Sequence, residues 1–343
     1  MRNFWYVAEE SKKLKSAPVS LTILNERIVL FRNENGEPAA LQDRCPHRNV
    51  PLSQGKVCKG HIACPYHGWE FNSNGECTHI PVLTQEDPIP NKAKCKSYPT
   101  IDSQGYIWIW IGEELPENAK PFKIPYYNEK GWTKARLWGD IENSVENCIE
   151  NFIDNPHTSY VHGGLFRTPD GHLSHTVVRR KPDQIVIDIN EEVSKNSLFA
   201  KVFIRDGEGI YHQDRFLLPS TVQVAYGFGK KYQITGFLFC TPINEFKTRV
   251  FAHITWKLGF WLKWIKPLVP IFGKIILNQD RKILEAQKSV ILHDGEHFAS
   301  TAADTANLWI RSLRKQSQKT NEDKSISAPL EQKQLERNVT LRL

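Results

Sequence analysis

Cys45-Pro46-His47-Arg48, followed sixteen residues later by Cys64-Pro65-Tyr66-His67-Gly68-Trp69, is the stretch on which the fold turns. Each loop offers one thiol and one imidazole, first as C-x-H and then as C-x-x-H. Around the loops the chain reads as short strands. Leu21-Thr22-Ile23-Leu24, Arg27-Ile28-Val29-Leu30-Phe31, Ala39-Ala40-Leu41 and Tyr106-Ile107-Trp108-Ile109-Trp110-Ile111 are apolar runs. Turn residues at Asn25-Glu26, Asn33-Glu34-Asn35-Gly36 and Ser103-Gln104-Gly105 separate them, as in a small antiparallel sandwich or barrel. Residues 4 to 112 are therefore expected to form a compact all-β unit whose strand pattern is broken by the two loops.

Two thiolates and two imidazoles can hold a structural zinc ion. They can equally hold a Rieske [2Fe–2S] centre, in which two histidines replace two cysteines on one iron. Zinc sites mostly pair like ligands a few residues apart, whereas here each loop contributes one of each kind. That mixture favours the asymmetric cluster, with both sulfurs on one iron and both imidazoles on the other. Pro46, Pro65 and Gly68 stiffen the loops and let backbone N–H groups approach the sulfurs.

Downstream, Glu150-Asn151-Phe152-Ile153-Asp154-Asn155-Pro156-His157-Thr158-Ser159-Tyr160-Val161-His162 brings two histidines and a carboxylate together where a helical pattern over 141–154 breaks at Pro156. Two imidazoles and one carboxylate compose the facial triad of non-haem Fe(II) oxygenases. Five helical residues rotate a side chain by about 500°, so an ideal α-helix would not aim both rings at one ion. A π-like turn would, and that is the expected local geometry.

Composition sets the frame. At 343 residues the chain has room for two domains, and 40% hydrophobic with 24% charged residues describes an ordinary globular protein. The net charge of +7 is spread over scattered lysines and arginines with no long basic block, which argues against nucleic acid. The opening Met1-Arg2-Asn3-Phe4-Trp5 has no apolar signal core. Seven cysteines, an odd number, fit a reducing, cytoplasmic compartment.

In order and separation, the two Cys/His loops and Asn151-x-x-Asp154-x-x-His157-x-x-x-x-His162 resemble the α subunit of Rieske non-haem iron oxygenases, over about Phe4 to Lys315. The resemblance implies an α+β chain: an N-terminal all-β Rieske domain (1–120), a helix-grip catalytic domain of antiparallel sheet and helices (121–315), and a polar, loose tail (316–343). It implies Cys45, His47, Cys64 and His67 on the [2Fe–2S] cluster, and His157, His162 and Asp280 on a mononuclear Fe2+. Asp280 lies in Asn278-Gln279-Asp280-Arg281-Lys282-Ile283-Leu284-Glu285, which resembles the late helix that supplies the carboxylate, with Glu285 the second candidate. Asp154 matches an acid that links His157 to His67 of a neighbouring subunit, and Asn151 matches a polar position near the iron. His293-x-x-x-His297 has ligand spacing but no counterpart in the family.

The activity implied is that of a terminal oxygenase. It takes O2, and electrons from NAD(P)H through a separate reductase with or without a ferredoxin, because the chain has no flavin or nicotinamide fingerprint of its own. It hydroxylates or oxidatively demethylates a small aromatic or otherwise apolar substrate, working as a homotrimer. A cis-dihydroxylating dioxygenase is the alternative within the class. A Rieske electron-transfer protein with a non-catalytic binding domain is the alternative outside it. In the second half, strands are expected over 175–178, 184–189, 198–204, 221–226, 232–240 and 248–256. The apolar run Leu258–Leu277, broken by Lys263, Lys266, Pro267, Pro270 and Lys274, reads as an amphipathic element at a pocket mouth or trimer contact. A membrane-surface contact there is the less favoured reading. Cys58, Cys77, Cys95, Cys148 and Cys240 match no ligand position and read as ordinary core or surface thiols.

Overall fold

The computed structural model describes residues 1–84, 86–113, 115–163, 173–191, 210–228, 232–259, 266–322 and 335–342. The chain divides into two compact units, Arg2–Lys123 and Ile124–Leu343, the second also taking in Met1.

In the first unit the apolar runs form three small antiparallel sheets. Val19–Ile23 and Glu26–Arg32 pair as a hairpin whose two loop residues, Leu24 and Asn25, both have positive φ. That backbone twist matches the twist of the strands it joins. Tyr106–Ile111 is buried along its whole length between Phe4–Glu10 and Thr100–Ser103. A second sheet, Lys56–Cys58, His61–Ala63, Glu70–Phe71 and Cys77–His79, carries the loop 64–69 between its second and third strands, while the loop 45–48 follows Pro38–Gln42, which pairs with Glu26–Arg32. Leu52, Ile62 and Phe71 are buried in one cluster with Cys45 and Cys64.

Glu26 ties this unit together. It accepts hydrogen bonds from Lys96 (2.7 Å), Tyr98 (2.5 Å) and Arg2. Burial raises its pKa, but those three donors outweigh burial and hold it near 2. A lowered carboxylate stabilises the fold above its unfolded pKa, and that contribution disappears as pH falls through the folded value. Glu26→Gln should therefore cost about 1–2 kcal/mol at pH 7. Thermal melts of wild type and variant should converge as the pH approaches 2; a gap that persists there would mean packing, not charge, is responsible.

The second unit is built on one antiparallel sheet. Among the described residues its order is Thr133–Ile141, Lys247–Lys257, Tyr232–Asn244, Thr221–Phe228, Ile210–Leu217, Gln184–Glu191, Leu173–Arg180 and Leu335–Arg342. One face carries Leu137, Ala252, Val222, Phe216, Ile185 and Val178, and packs against the helix Val145–Ile153. The expected strand over 198–204 lies outside the described residues. Ile210–Leu217 was not foreseen, because its polar run His212-Gln213-Asp214-Arg215 hides the alternation.

Three contacts place the helices. Buried Asn143 donates to Leu284 O (2.7 Å) and Gln287 Oε1 (2.9 Å), joining the start of the first helix to the long helix Val269–Asp294. That long helix lies close on the edge strand, since a Cβ at Gly139 would sit 2.8 Å from Leu277 and one at Gly273 would sit 2.6 Å from Leu137. The closing helix Thr305–Glu322 grips the first through Arg314 to Glu146 (2.6 Å) and Arg311 to Glu150.

The loose tail expected over 316–343 is corrected at both ends. The closing helix runs on to Glu322, and Leu335–Arg342 pairs along the whole of Leu173–Arg180. Its alternate residues Val339 and Leu341 face a small cavity under Ile153 and Asp154, a period-two pattern hidden by the polar residues between. Of the apolar run 258–277, residues 260–265 lie outside the described residues. Beyond them Leu268, Ile271, Phe272 and Ile275 are exposed, while Leu277 is buried, so this part is amphipathic with apolar side chains outward. Among the described residues no helix is long and apolar enough to cross a membrane.

Candidate metal centres

In the first unit the two Cys/His loops share one backbone design. Cys45 N–H donates to Val50 O (2.9 Å) and Cys64 N–H to Trp69 O (2.8 Å). Each cysteine's carbonyl accepts from the residue four places on, Asn49 (2.9 Å) and Gly68 (3.0 Å), and both of those residues have positive φ. At Gly68 a Cβ would in addition sit 2.9 Å from the Pro81 ring. The two turns set His47 and His67 side by side, ring centroids 4.6 Å apart, with Trp69 stacked flat on His47 at 4.6 Å. Tyr66, 61% exposed, covers His67 from outside.

The sulfurs are buried and mutually close. Burial pushes the Cys45 thiol up to about 11, opposed by the His47 backbone N–H and reinforced by Cys64. Burial also lowers the pKa of His47, with the His67 ring adding to it. His47 Nδ1 is buried with no hydrogen-bond partner, although a buried ring nitrogen is costly to leave unsatisfied. Two adjacent buried thiols and a pair of neighbouring imidazoles, one with an orphaned nitrogen, fit the mixed ligand set of a [2Fe–2S] cluster. Cys77, Cys95, Cys148 and Cys240 are buried and Cys58 half-buried.

In the second unit His157, His162 and Asp280 present ligand atoms that all lie within 4.8 Å of one another. Among the described residues this is the only such group; His293 and His297 are exposed and outside it. The expected π-like turn is absent. The first helix ends at Ile153, the chain turns through Asp154-Asn155-Pro156, and a single helical turn, His157–Tyr160, follows with Val161 N–H on His157 O (2.8 Å). His157 opens that turn and His162 lies beyond its end, so the break supplies the rotation that a wider helix would otherwise have provided. The two rings meet edge to face at 5.2 Å.

Asp280, 3% exposed, is the hub. Its Oδ1 lies 3.0 Å from His162 Nε2 and 3.5 Å from His157 Nε2, and accepts from Asn151 Nδ2 at 3.0 Å. Burial raises the Asp280 pKa, but the two imidazoles and Asn151 outweigh it and hold the group near 2. Burial lowers the pKa of His157, while bonds to Asp154 and Asp280 carry it up to about 9. Glu285 points away and pairs with Arg281 at 3.3 Å.

Asp154 is placed differently from the expected side-chain-to-ring bond. Its Oδ2 accepts from the backbone N–H of His157 (2.9 Å), and His157 Nδ1 is held by the Asp154 main-chain carbonyl, with the carboxylate 3.5 Å away. The carboxylate thus caps the short helical turn and remains 30% exposed.

Two partners went unread in the sequence. Gln279 Oε1 lies 2.8 Å from His162 Nδ1, on the residue next to Asp280, where only the fold brings it to the ring. His212 and Asp214 form a buried pair at 3.1 Å, and Tyr226 stacks on His212. Asp214 is paired across the sheet with Ile187, a neighbour of Ile153 around the small cavity, so the pair lies on the sheet face that receives the first helix.

Residues 4–99 match the family model of the Rieske [2Fe-2S] domain, and residues 141–320 match the vanillate O-demethylase oxygenase C-terminal domain. The chain is 27% identical over 317 residues to protein TIC 55, chloroplastic, of Arabidopsis thaliana, an alignment covering 89% of this chain and 56% of that protein. It is 36% identical over 165 residues to the oxygenase component of dicamba O-demethylase from Stenotrophomonas maltophilia, covering 47% of this chain and 48% of that one. The chain thus spans about half the length of these curated relatives. The crystal structure of dicamba monooxygenase bound to dicamba superposes with a TM-score of 0.81 at 24% identity, over 94% of this chain and 99% of that chain.

Proposed function

The chain belongs to the Rieske oxygenase family, and from that premise we propose that it is the terminal oxygenase of a multicomponent system. It hydroxylates or oxidatively demethylates a small, predominantly apolar aromatic substrate. The observation that carries this reading is the convergence of His157, His162 and Asp280 on one buried point. Two imidazoles and one carboxylate so placed would hold an iron ion, which would supply O2 activation. An electron carrier has no use for that arrangement.

Cys45 and Cys64, with His47 through its unpartnered Nδ1 and His67, would hold the [2Fe–2S] cluster. Trp69 fixes the plane of His47. When bound, the cluster stores and delivers single electrons and the mononuclear Fe2+ supplies O2 activation. The protein's own part is positional. Asn151 orients the Asp280 carboxylate, the Asp154 carbonyl orients His157, and the apolar sheet face excludes water. The His212–Asp214 pair is a buried polar point on that face. The exposed edge of Asp154 is available to a cluster histidine of a second copy, as in the homotrimer that the family resemblance implies. Electrons come from NAD(P)H through a separate reductase, and the free thiols suit the cytoplasm.

Aromatic methyl ethers, N-methyl compounds and unsubstituted aromatics, offered with a surrogate reductase, NADH and 18O2, test the reading. At least one class should accelerate O2 uptake and yield 18O-labelled product, or formaldehyde where a methyl group leaves. NADH oxidation that produces only peroxide across the whole panel would speak for the electron-carrier alternative.

A further inference from the structure

We infer that Gln279 is a positioning residue for the mononuclear metal, its amide oxygen fixing the tautomer and the plane of the His162 ring. The inference rests on the metal reading above. His162 is 2% exposed and held at both ring nitrogens by consecutive residues of one helix, Gln279 Oε1 at Nδ1 (2.8 Å) and Asp280 Oδ1 at Nε2 (3.0 Å). A neutral imidazole carries one proton. Placed on Nδ1, that proton is donated to Gln279 and the Nε2 lone pair is directed to the point shared with Asp280 and His157. Placed on Nε2, it would block that point and set the Nδ1 lone pair against the amide oxygen. A metal taking the Nε2 lone pair would leave the ring proton on Nδ1, and Gln279 Oε1 is placed to accept it there.

The two histidines are secured by different means. The Nδ1 of His157 is held by a main-chain carbonyl, which no substitution removes, while His162 depends on a side chain. Gln279 is also a neutral acceptor. An amide draws less on the ring proton than a carboxylate in the same place would. Gln279 reaches the ring because the long helix lies close on the edge strand at Gly139 and Gly273, which brings residues 279 and 280 together to the break after the first helix.

The test uses the full chain with its cluster intact and the mononuclear site stripped of metal, titrated calorimetrically with Co(II) alone. Gln279→Leu should bind Co(II) about 10–100-fold more weakly than wild type, the usual cost of losing such an outer partner. Gln279→Glu should bind as tightly as wild type or more tightly. If Gln279→Leu matches wild type, or if both variants weaken binding alike, the amide acts only by filling space and the inference falls. If Gln279→Leu does not fold, Gln279→Glu decides: unchanged or tighter binding upholds the acceptor role, weaker binding overturns it. His162→Ala separates this outcome from failure of the metal reading. A wild-type chain whose Co(II) binding is indifferent to His162→Ala has no metal site there, and both readings fall together.

Discussion

His157→Ala, His162→Ala and Asp280→Ala should each abolish turnover while leaving the visible spectrum of the cluster unchanged. The two ligand sets belong to separate compact units, so removing one need not disturb the other. Removing a direct ligand should exceed the about 10–100-fold cost of losing an outer partner. The most informative of the three is Asp280→Ala, because Asp280 is the group on which both imidazoles and Asn151 converge. Its loss should also release the mononuclear metal. Near-normal turnover in Asp280→Ala would move the carboxylate role elsewhere, Glu285 being the nearest acid on that helix despite its pairing with Arg281. Metal content and steady-state O2 uptake, measured on one preparation, distinguish these outcomes.

Asp154→Asn is expected to slow the single-turnover reaction without unfolding the protein. Asparagine caps a helical turn about as well as aspartate, so the bond to the His157 N–H is kept and stability should change little. What is lost is the charge. A hydrogen bond to a charged group is worth about 1.5–3 kcal/mol, which corresponds to a rate change of about 10–150-fold if electron delivery depends on that carboxylate. Mixing the pre-reduced variant with O2 and substrate, and following the return of the oxidised cluster's colour, reads that rate directly. A wild-type rate would confine Asp154 to its capping role and leave no reason to route electrons between subunits through it.

Much of the site was legible because metal ligands are chemically distinctive and closely spaced. The mixed Cys/His loops and the pair His157 and His162 stand out as residue types, whatever the backbone does. What was not legible depends on the backbone or on distant packing. The break at Asp154-Asn155-Pro156 replaces the expected π-like turn, since proline ends the first helix and lets a second start afresh at His157. Gln279 looks like any helical glutamine until the close approach at Gly139 and Gly273 brings it to His162. The terminal strand Leu335–Arg342 is polar at most positions and gains its place from Leu173–Arg180, more than 150 residues earlier, a pairing no local pattern announces. In the first unit the buried run Tyr106–Ile111 and the Leu24-Asn25 hairpin were readable because apolar runs and turn residues coincide there.

The central claim is that one chain holds a cluster for electrons and a separate iron for oxygen. Counting iron and acid-labile sulfide per chain in the purified protein tests it most directly. The account predicts about three irons and about two sulfides per chain, falling to about two irons in His162→Ala. About two irons in the wild type, unchanged by His162→Ala, would contradict it and leave an electron carrier.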